Sequence, residues 1–221
     1  MALTYAGDSR ITAAVGNYFS ILSVSPSEEE PTWRIHFGVE GAGFFGLRRE
    51  EERFPLETAD GLIGLYLEGN TGVWQGQMRF THVSAHLADG SLDTPIAYSR
   101  ETLSARVGFA PSYDFHAYLG VYRLLASFPS VPSWALQWGG SYFLSSTTKS
   151  LVPFIATDFK WKEESSYNPS LSLQVGLALN NPPQAYRSFR FYYAYFTGAD
   201  PRGQFYSRSY TSHSFGIEMQ I

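Results

Sequence analysis

From Ser170 to Leu179 the chain alternates without a break: Leu171, Leu173, Val175, Leu177 and Leu179 fall on one side of an extended backbone, and Ser170, Ser172, Gln174, Gly176 and Ala178 on the other. Successive side chains of a strand point to opposite faces, so this segment has one aliphatic face and one small or polar face. Two architectures suit it: a soluble sandwich with the apolar face inside, or a membrane barrel with that face toward lipid. Length separates them, because soluble strands run about 5 to 6 residues while a tilted strand crossing a bilayer needs about 9 to 11. The long form recurs. Thr32 to Glu40 sets Trp33, Ile35, Phe37 and Val39 against Arg34, His36, Gly38 and Glu40, and Ser214 to Ile221 sets Phe215, Ile217, Met219 and Ile221 against Ser214, Gly216, Glu218 and Gln220.

Composition agrees with long strands. Aromatic residues make up 17% of the 221 residues and charged residues 16%, against about 25% charged in an ordinary soluble domain. No composition break divides the chain, which reads as a single domain over residues 1–221. Mean hydropathy is below zero and no apolar run reaches transmembrane-helix length. A barrel is unaffected by that, since its lumen residues offset its lipid-facing ones. The net charge of −4 and the lack of a basic cluster argue against nucleic acid as a partner. Without cysteine there is no disulfide framework, thiolate chemistry or Cys-ligated metal. No cofactor or metal is expected. Ala2 to Gly16 lacks the basic start and apolar run of a signal peptide.

In chain order, Arg10 to Val24 reads as an irregular strand, Ser25 to Pro31 as a polar connection, and Arg48 to Arg53 as a solvated charge run after a glycine-rich stretch, Gly41 to Gly46. Leu62 to Glu68 and the strand from Val73 are joined by a tight turn at Asn70-Thr71-Gly72. A loop from Asp89 to Arg100 precedes strands at Thr102 to Phe109, Phe115 to Tyr122, Trp134 to Tyr142 and Ile155 to Lys162, with turns at Pro111 to Asp114 and Ser145 to Ser150. After Ser170 to Leu179 come a connection at Asn180 to Arg187, the strand Phe189 to Phe196, and a loop from Gly198 to Phe205. Eleven candidates emerge. A closed up-and-down antiparallel barrel of the outer membrane needs an even number, so twelve strands are expected, with ten as the alternative.

The charged side chains decide between sandwich and barrel. Arg34, Glu40, Glu68, Arg79, Arg106, Asp158, Lys160, Lys162, Arg190 and Glu218, with His36 and His116, all lie on the small or polar faces. The opposite faces carry Leu, Ile, Val and Phe edged by Trp and Tyr, the pattern of a lipid-facing wall with aromatic girdles. The charges then form a mixed-sign lumen network, because pairing offsets the cost of burying ions. The expected location is the bacterial outer membrane, with its lipids or lipopolysaccharide as partners and other envelope proteins as further ones.

Several segments carry a resemblance to a known family: Ala59 to Leu67, Arg79 to Asp89 (RFTHVSAHLAD), Tyr98 to Glu101, Ala156 to Lys160, Ser170 to Leu179, and Gly198 to Tyr206 with its GQFY ending. Together they resemble the bacterial domain-of-unknown-function family 1207, predicted outer-membrane proteins. That resemblance implies the barrel and its location and brings no activity with it. The last strand is also similar to the signal read by the barrel-assembly machinery, with Ile221 where an aromatic residue is usual.

One constellation has catalytic potential. His82, Ser84 and His86 share a strand face at about 7 Å per step, close enough for an imidazole to serve as general base to the Ser84 hydroxyl, with Asp89 or Glu101 as the nearest carboxylates in sequence to hold the histidine. With Met78 and Phe80 facing lipid and no intervening bulge, this face is the outer one; a bulge near His82 turns the histidines inward instead. The pattern is similar to the His-x-Ser of outer-membrane phospholipase A and the lipid A 3-O-deacylase. The leading expectation is a barrel of unassigned activity, structural or part of an envelope assembly, with a side-chain-filled lumen. A lipid ester hydrolase using Ser84 and His82 is the alternative, and a narrow passive pore is a weaker one.

Overall fold

The computed structural model describes residues 1–7, 9–27, 32–144, 151–179 and 188–220. Each alternating segment forms a strand. Among the described residues there are twelve: β1 (Ala2–Ala6), β2 (Arg10–Val24), β3 (Trp33–Arg48), β4 (Leu56–Thr71), β5 (Trp74–Leu87), β6 (Ser99–Ser112), β7 (Phe115–Phe128), β8 (Trp134–Phe143), β9 (Leu151–Lys162), β10 (Pro169–Leu179), β11 (Ser188–Ala199) and β12 (Ser209–Gln220). Each pairs antiparallel with its neighbours in sequence, and β1 also pairs with β12 to close the barrel. Closure removes the open edges that would otherwise present unpaired N–H and C=O groups. Ten strands are thereby excluded. The twelfth strand, unassigned from sequence, is β1, whose five residues are too few to show a period.

Several strands run past their alternating centres. Gly41 to Gly46 continues β3 rather than ending it, and β4 starts at Leu56, six residues before Leu62. The β4–β5 turn consists of Gly72 and Val73, not Asn70 to Gly72; Gly72 takes φ 55°, a left-handed conformation suited to glycine. Of the charge run, Arg48 ends β3 and only a Glu50–Arg53 bridge adds regular pairing. The two-residue connections Gly72–Val73 and Tyr113–Asp114 lie on the rim that also carries the chain ends. The two longest connections, 88–98 and 200–208, lie on the opposite rim with 49–55, 129–133 and 163–168, while 25–32, 144–150 and 180–187 belong to the rim of the chain ends. The turn expected at Ser145 to Ser150, the connection Asn180 to Arg187, residues 28–31 of the connection Ser25 to Pro31, and Ile221 lie outside the described residues.

Inside, tyrosines fill spaces left by glycines on adjoining strands. Tyr66 is paired with Gly38, Tyr118 with Gly139, and Tyr192 with both Gly176 and Gly216. A Cβ on Gly216 would lie 2.5 Å from Tyr192 Cζ, and one on Gly139 2.7 Å from Tyr118 Oη, so neither site has room for a side chain. Phe143, Val152, Phe154, Ala178 and Tyr192 form an apolar core near the turn rim. The outer wall, by contrast, exposes Ile63, Leu65, Met78, Val107, Leu119, Val175 and Phe191.

Candidate functional site

The outward row sits at the loop-rim end of β5. The β4–β5 and β5–β6 registers run without a shift, so Trp74, Met78, Phe80, His82, Ser84 and His86 share the outer face, while Arg79, Thr81, Val83 and Ala85 face the lumen. The register shifts lie elsewhere, between β2 and β3, between β3 and β4, and at two places between β6 and β7.

Neighbouring strands supply the surroundings. Glu101 of β6 pairs with His82, and its carboxylate lies 3.8 Å from His82 Nδ1. Asp89 lies beyond the end of β5, in a turn held by hydrogen bonds from Ala88 N–H to Glu57 O and from Gly90 N–H to Leu56 O. The carboxylate within ion-pair range of His82 is therefore Glu101. Gly61 of β4 faces Ser84; even a Cβ there would stay 3.7 Å from Ser84 Oγ, so the outer approach to the hydroxyl is open. Among the described residues Ser84 Oγ has no hydrogen-bond partner, and the histidines are not bonded to it.

The inner side of the same strand end is held by the 200–208 loop. Gln204 Nε2 donates to Ala85 O at 2.5 Å and to Ile96 O at 2.8 Å, while Ile96 N–H donates to Gln204 Oε1 at 2.9 Å. Gly203 N–H donates to Asp60 Oδ2 at 2.9 Å. Asp200 holds Arg202 through Oδ1 and Oδ2 at 2.9 and 2.5 Å, and Glu57 lies within 4 Å of Arg10, Arg48 and Arg202. Arg100 lies between the Tyr98 and Tyr206 rings, 4.3 and 5.1 Å from their centroids, and its Nη1 donates to the carbonyls of Ser99, Phe128 and Pro129. Burial pushes the Tyr98 phenol up to about 12. On the rim, a hydrogen bond from Arg208 holds the Asp93 carboxyl below its ordinary range.

The inward charges fall into separate groups. Arg79 pairs with Glu40 at 3.0 Å, Arg190 with Glu218 at 3.7 Å and Lys162 with Glu164 at 3.7 Å, while Gln77 donates to Glu68 at 3.2 Å. Asp158 accepts hydrogen bonds from Tyr118 and Gln137; Tyr122 donates to Gln137, and Arg106 donates to Tyr122 at 2.8 Å and to Gln137 at 3.3 Å. Lys160 stands 5.7 Å from the Tyr122 ring centroid. Arg34 enters none of these groups. His36 lies 3.4 Å from Ser20 Oγ, and His116 stacks on Tyr118. The loop-rim set of Glu57, Asp60, Arg100, Asp200, Arg202 and Gln204 was not singled out from sequence. Its visible signal is the loop Gly198 to Phe205, and strand periodicity is silent about loops that fold inward. Among the described residues no group of three or more His, Asp or Glu is placed to hold a metal ion.

A closed antiparallel barrel of twelve strands, with an apolar outer wall and a polar lumen, is the architecture of outer-membrane barrel proteins. This chain belongs to the family described as "Protein of unknown function (DUF1207)", whose model matches residues 4–220. No curated protein matches the sequence. Among solved structures it is similar to an active-site mutant of outer membrane phospholipase A from Escherichia coli, at TM-score 0.64 and 13% identity, over 100% of this chain and 88% of that one. It is likewise similar to the calcium-bound outer membrane phospholipase dimer of Salmonella typhi, at TM-score 0.65 and 13% identity, over 100% and 89% of the chains. The β-domain of the Bordetella autotransporter BrkA matches at TM-score 0.50 and 12% identity, over 99% and 94%.

Proposed function

We propose that this protein is an integral barrel of the bacterial outer membrane that hydrolyses an acyl ester of a membrane lipid, using Ser84 as nucleophile. The observation that carries the reading is the outward triplet: His82 and Ser84 share one exposed face of β5, with Glu101 across from His82. The continuous exposed apolar wall supports membrane placement, since water-soluble monomers rarely leave such a surface uncovered. The outer-membrane barrels to which the fold is similar support the location, and the phospholipases among them support the substrate class. The two longest connections share the rim of Ser84, and longer loops face outward in such barrels, which supports Ser84 at the outer leaflet with lipopolysaccharide or phospholipid as substrate.

In this reading Glu101 orients His82 through Nδ1 and leaves Nε2 for the serine. Ser84 Oγ must come within about 3.2 Å of that nitrogen when substrate binds. The hydroxyl attacks the ester carbonyl as His82 takes its proton, then returns it to the departing alcohol. Water, activated in the same way, releases the fatty acid and restores Ser84. In the same reading His86, next on that face beyond Ser84, is assigned as donor to the oxyanion.

The test is fatty-acid release by heat-modifiable, refolded protein from phospholipid vesicles and from lipopolysaccharide, for wild type and Ser84→Ala. Release that vanishes in Ser84→Ala is expected. No release from either lipid by folded wild type overturns the hydrolase and leaves a structural barrel.

A further inference from the structure

The loop-rim half of the lumen holds a cavity of about 570 Å³, separate from the outward row. Arg202 and Pro201 of the 200–208 loop close part of its mouth, and Tyr122, bonded to Gln137 and Arg106, lies on its inner side. Arg100, Lys160, Lys162 and Arg202 line it, against only two carboxylates, Asp60 and Glu164. Most of these charges are engaged. Arg202 is held by Asp200, Lys162 by Glu164, and Arg100 by three carbonyls and two tyrosine rings, while Asp60 accepts from Gly203.

Lys160 is the exception. Its ammonium has the Tyr122 ring as neighbour, and among the described residues no hydrogen bond or ion pair reaches it. Asp158, two residues earlier on the same face, accepts from Tyr118 and Gln137 through Oδ2 and attracts the ammonium through its charge alone, without a hydrogen bond or an ion pair within 4 Å. An ammonium held inside a barrel without an acceptor is costly, so a complementary anion there gains a charge-assisted hydrogen bond in a shielded site. The walls beside it are apolar, with Ala14, Val83, Leu124 and Ala135. We infer that the cavity binds an amphipathic anion, its carboxylate or phosphate monoester on Lys160 and its short apolar chain along those four side chains.

The experiment uses the refolded full chain in dodecyl maltoside, titrated calorimetrically with hexanoate, hexyl phosphate, hexanol and hexyltrimethylammonium. Saturable binding of at least one anion is expected, weakened about tenfold or more in Lys160→Met, with none for the alcohol or the cation. Saturation by hexanoate alone assigns a carboxylate, and by hexyl phosphate alone a phosphate monoester. In wild type the bound anion should also protect Lys160 from trinitrobenzenesulfonate, read by mass spectrometry, which keeps the test sound if Lys160→Met fails to fold. Equal uptake of hexanol and the anions, or an unprotected Lys160, overturns the inference.

Discussion

Gly203 lies flush against Ala85: a Cβ on Gly203 would come within 2.5 Å of Ala85 Cβ and 2.7 Å of Tyr98 Cε1. The 200–208 loop thus packs on the inner side of the strand end whose outer side carries Ser84 and His86. Gly203→Val should lift the loop and cost about 1–3 kcal/mol by overpacking. Hydrogen exchange across 200–208 and refolding midpoints check this; unchanged loop protection would contradict the packing.

Tyrosine–glycine complementarity makes lumen glycines unequal to exposed ones. A Cβ at Gly176 would lie 2.1 Å from Phe191 O and 2.7 Å from Tyr192 Cα, whereas Gly76 has nothing within 4 Å. Gly176→Ala should therefore destabilise by about 1–3 kcal/mol, and Gly76→Ala by much less. Urea refolding titrations in liposomes measure both, and equal losses would refute the close approach.

The membrane reading makes neighbouring residues of β10 respond oppositely. Leu173 pairs with Thr157 and Tyr195 on the outer face, and Gln174 faces inward beside Ala156 and Ala194. Leu173→Arg should cost roughly 2–4 kcal/mol at mid-bilayer, and Gln174→Arg less. The same liposome titrations decide it.

The hydrolase reading separates two carboxylates. Glu101 faces His82 at 3.8 Å, whereas Asp89 sits in the turn beyond β5. Glu101→Ala should lower kcat by at least about 10² with KM little changed, while Asp89→Asn keeps activity. Steady-state rates on a soluble short-chain ester, with foldedness checked by heat modifiability, provide the comparison.

Acid should loosen the loop rim through Asp93. Arg208 depresses the Asp93 pKa in the folded state, so the contribution is present above the unfolded value of about 3.9 and is lost as pH falls through the lower folded value. Proteolysis of the 88–98 and 200–208 loops by pepsin should rise over that window in wild type. In Asp93→Asn it should be insensitive to pH there.

Strand periodicity determined the all-β character, the near-complete strand list and the two faces, and strand length with the face that carries the charges favoured a barrel over a sandwich. Side-chain alternation is a local property that ten residues such as Ser170 to Leu179 display without reference to any neighbour. It also grouped His82, Ser84 and His86 on one face. Whether that face pointed out depended on the absence of a bulge in β5, which only the paired registers on both sides reveal. That Glu101 and not Asp89 meets His82, that β1 closes on β12, and that Gln204 reaches Ala85 from 119 residues away are set by strand register and loop return. Register and loop return arise from the packing of the whole barrel, so no window of sequence holds them. Tertiary structure therefore decided which polar residues meet, and left Lys160 in the lumen beside the Tyr122 ring without a hydrogen bond among the described residues.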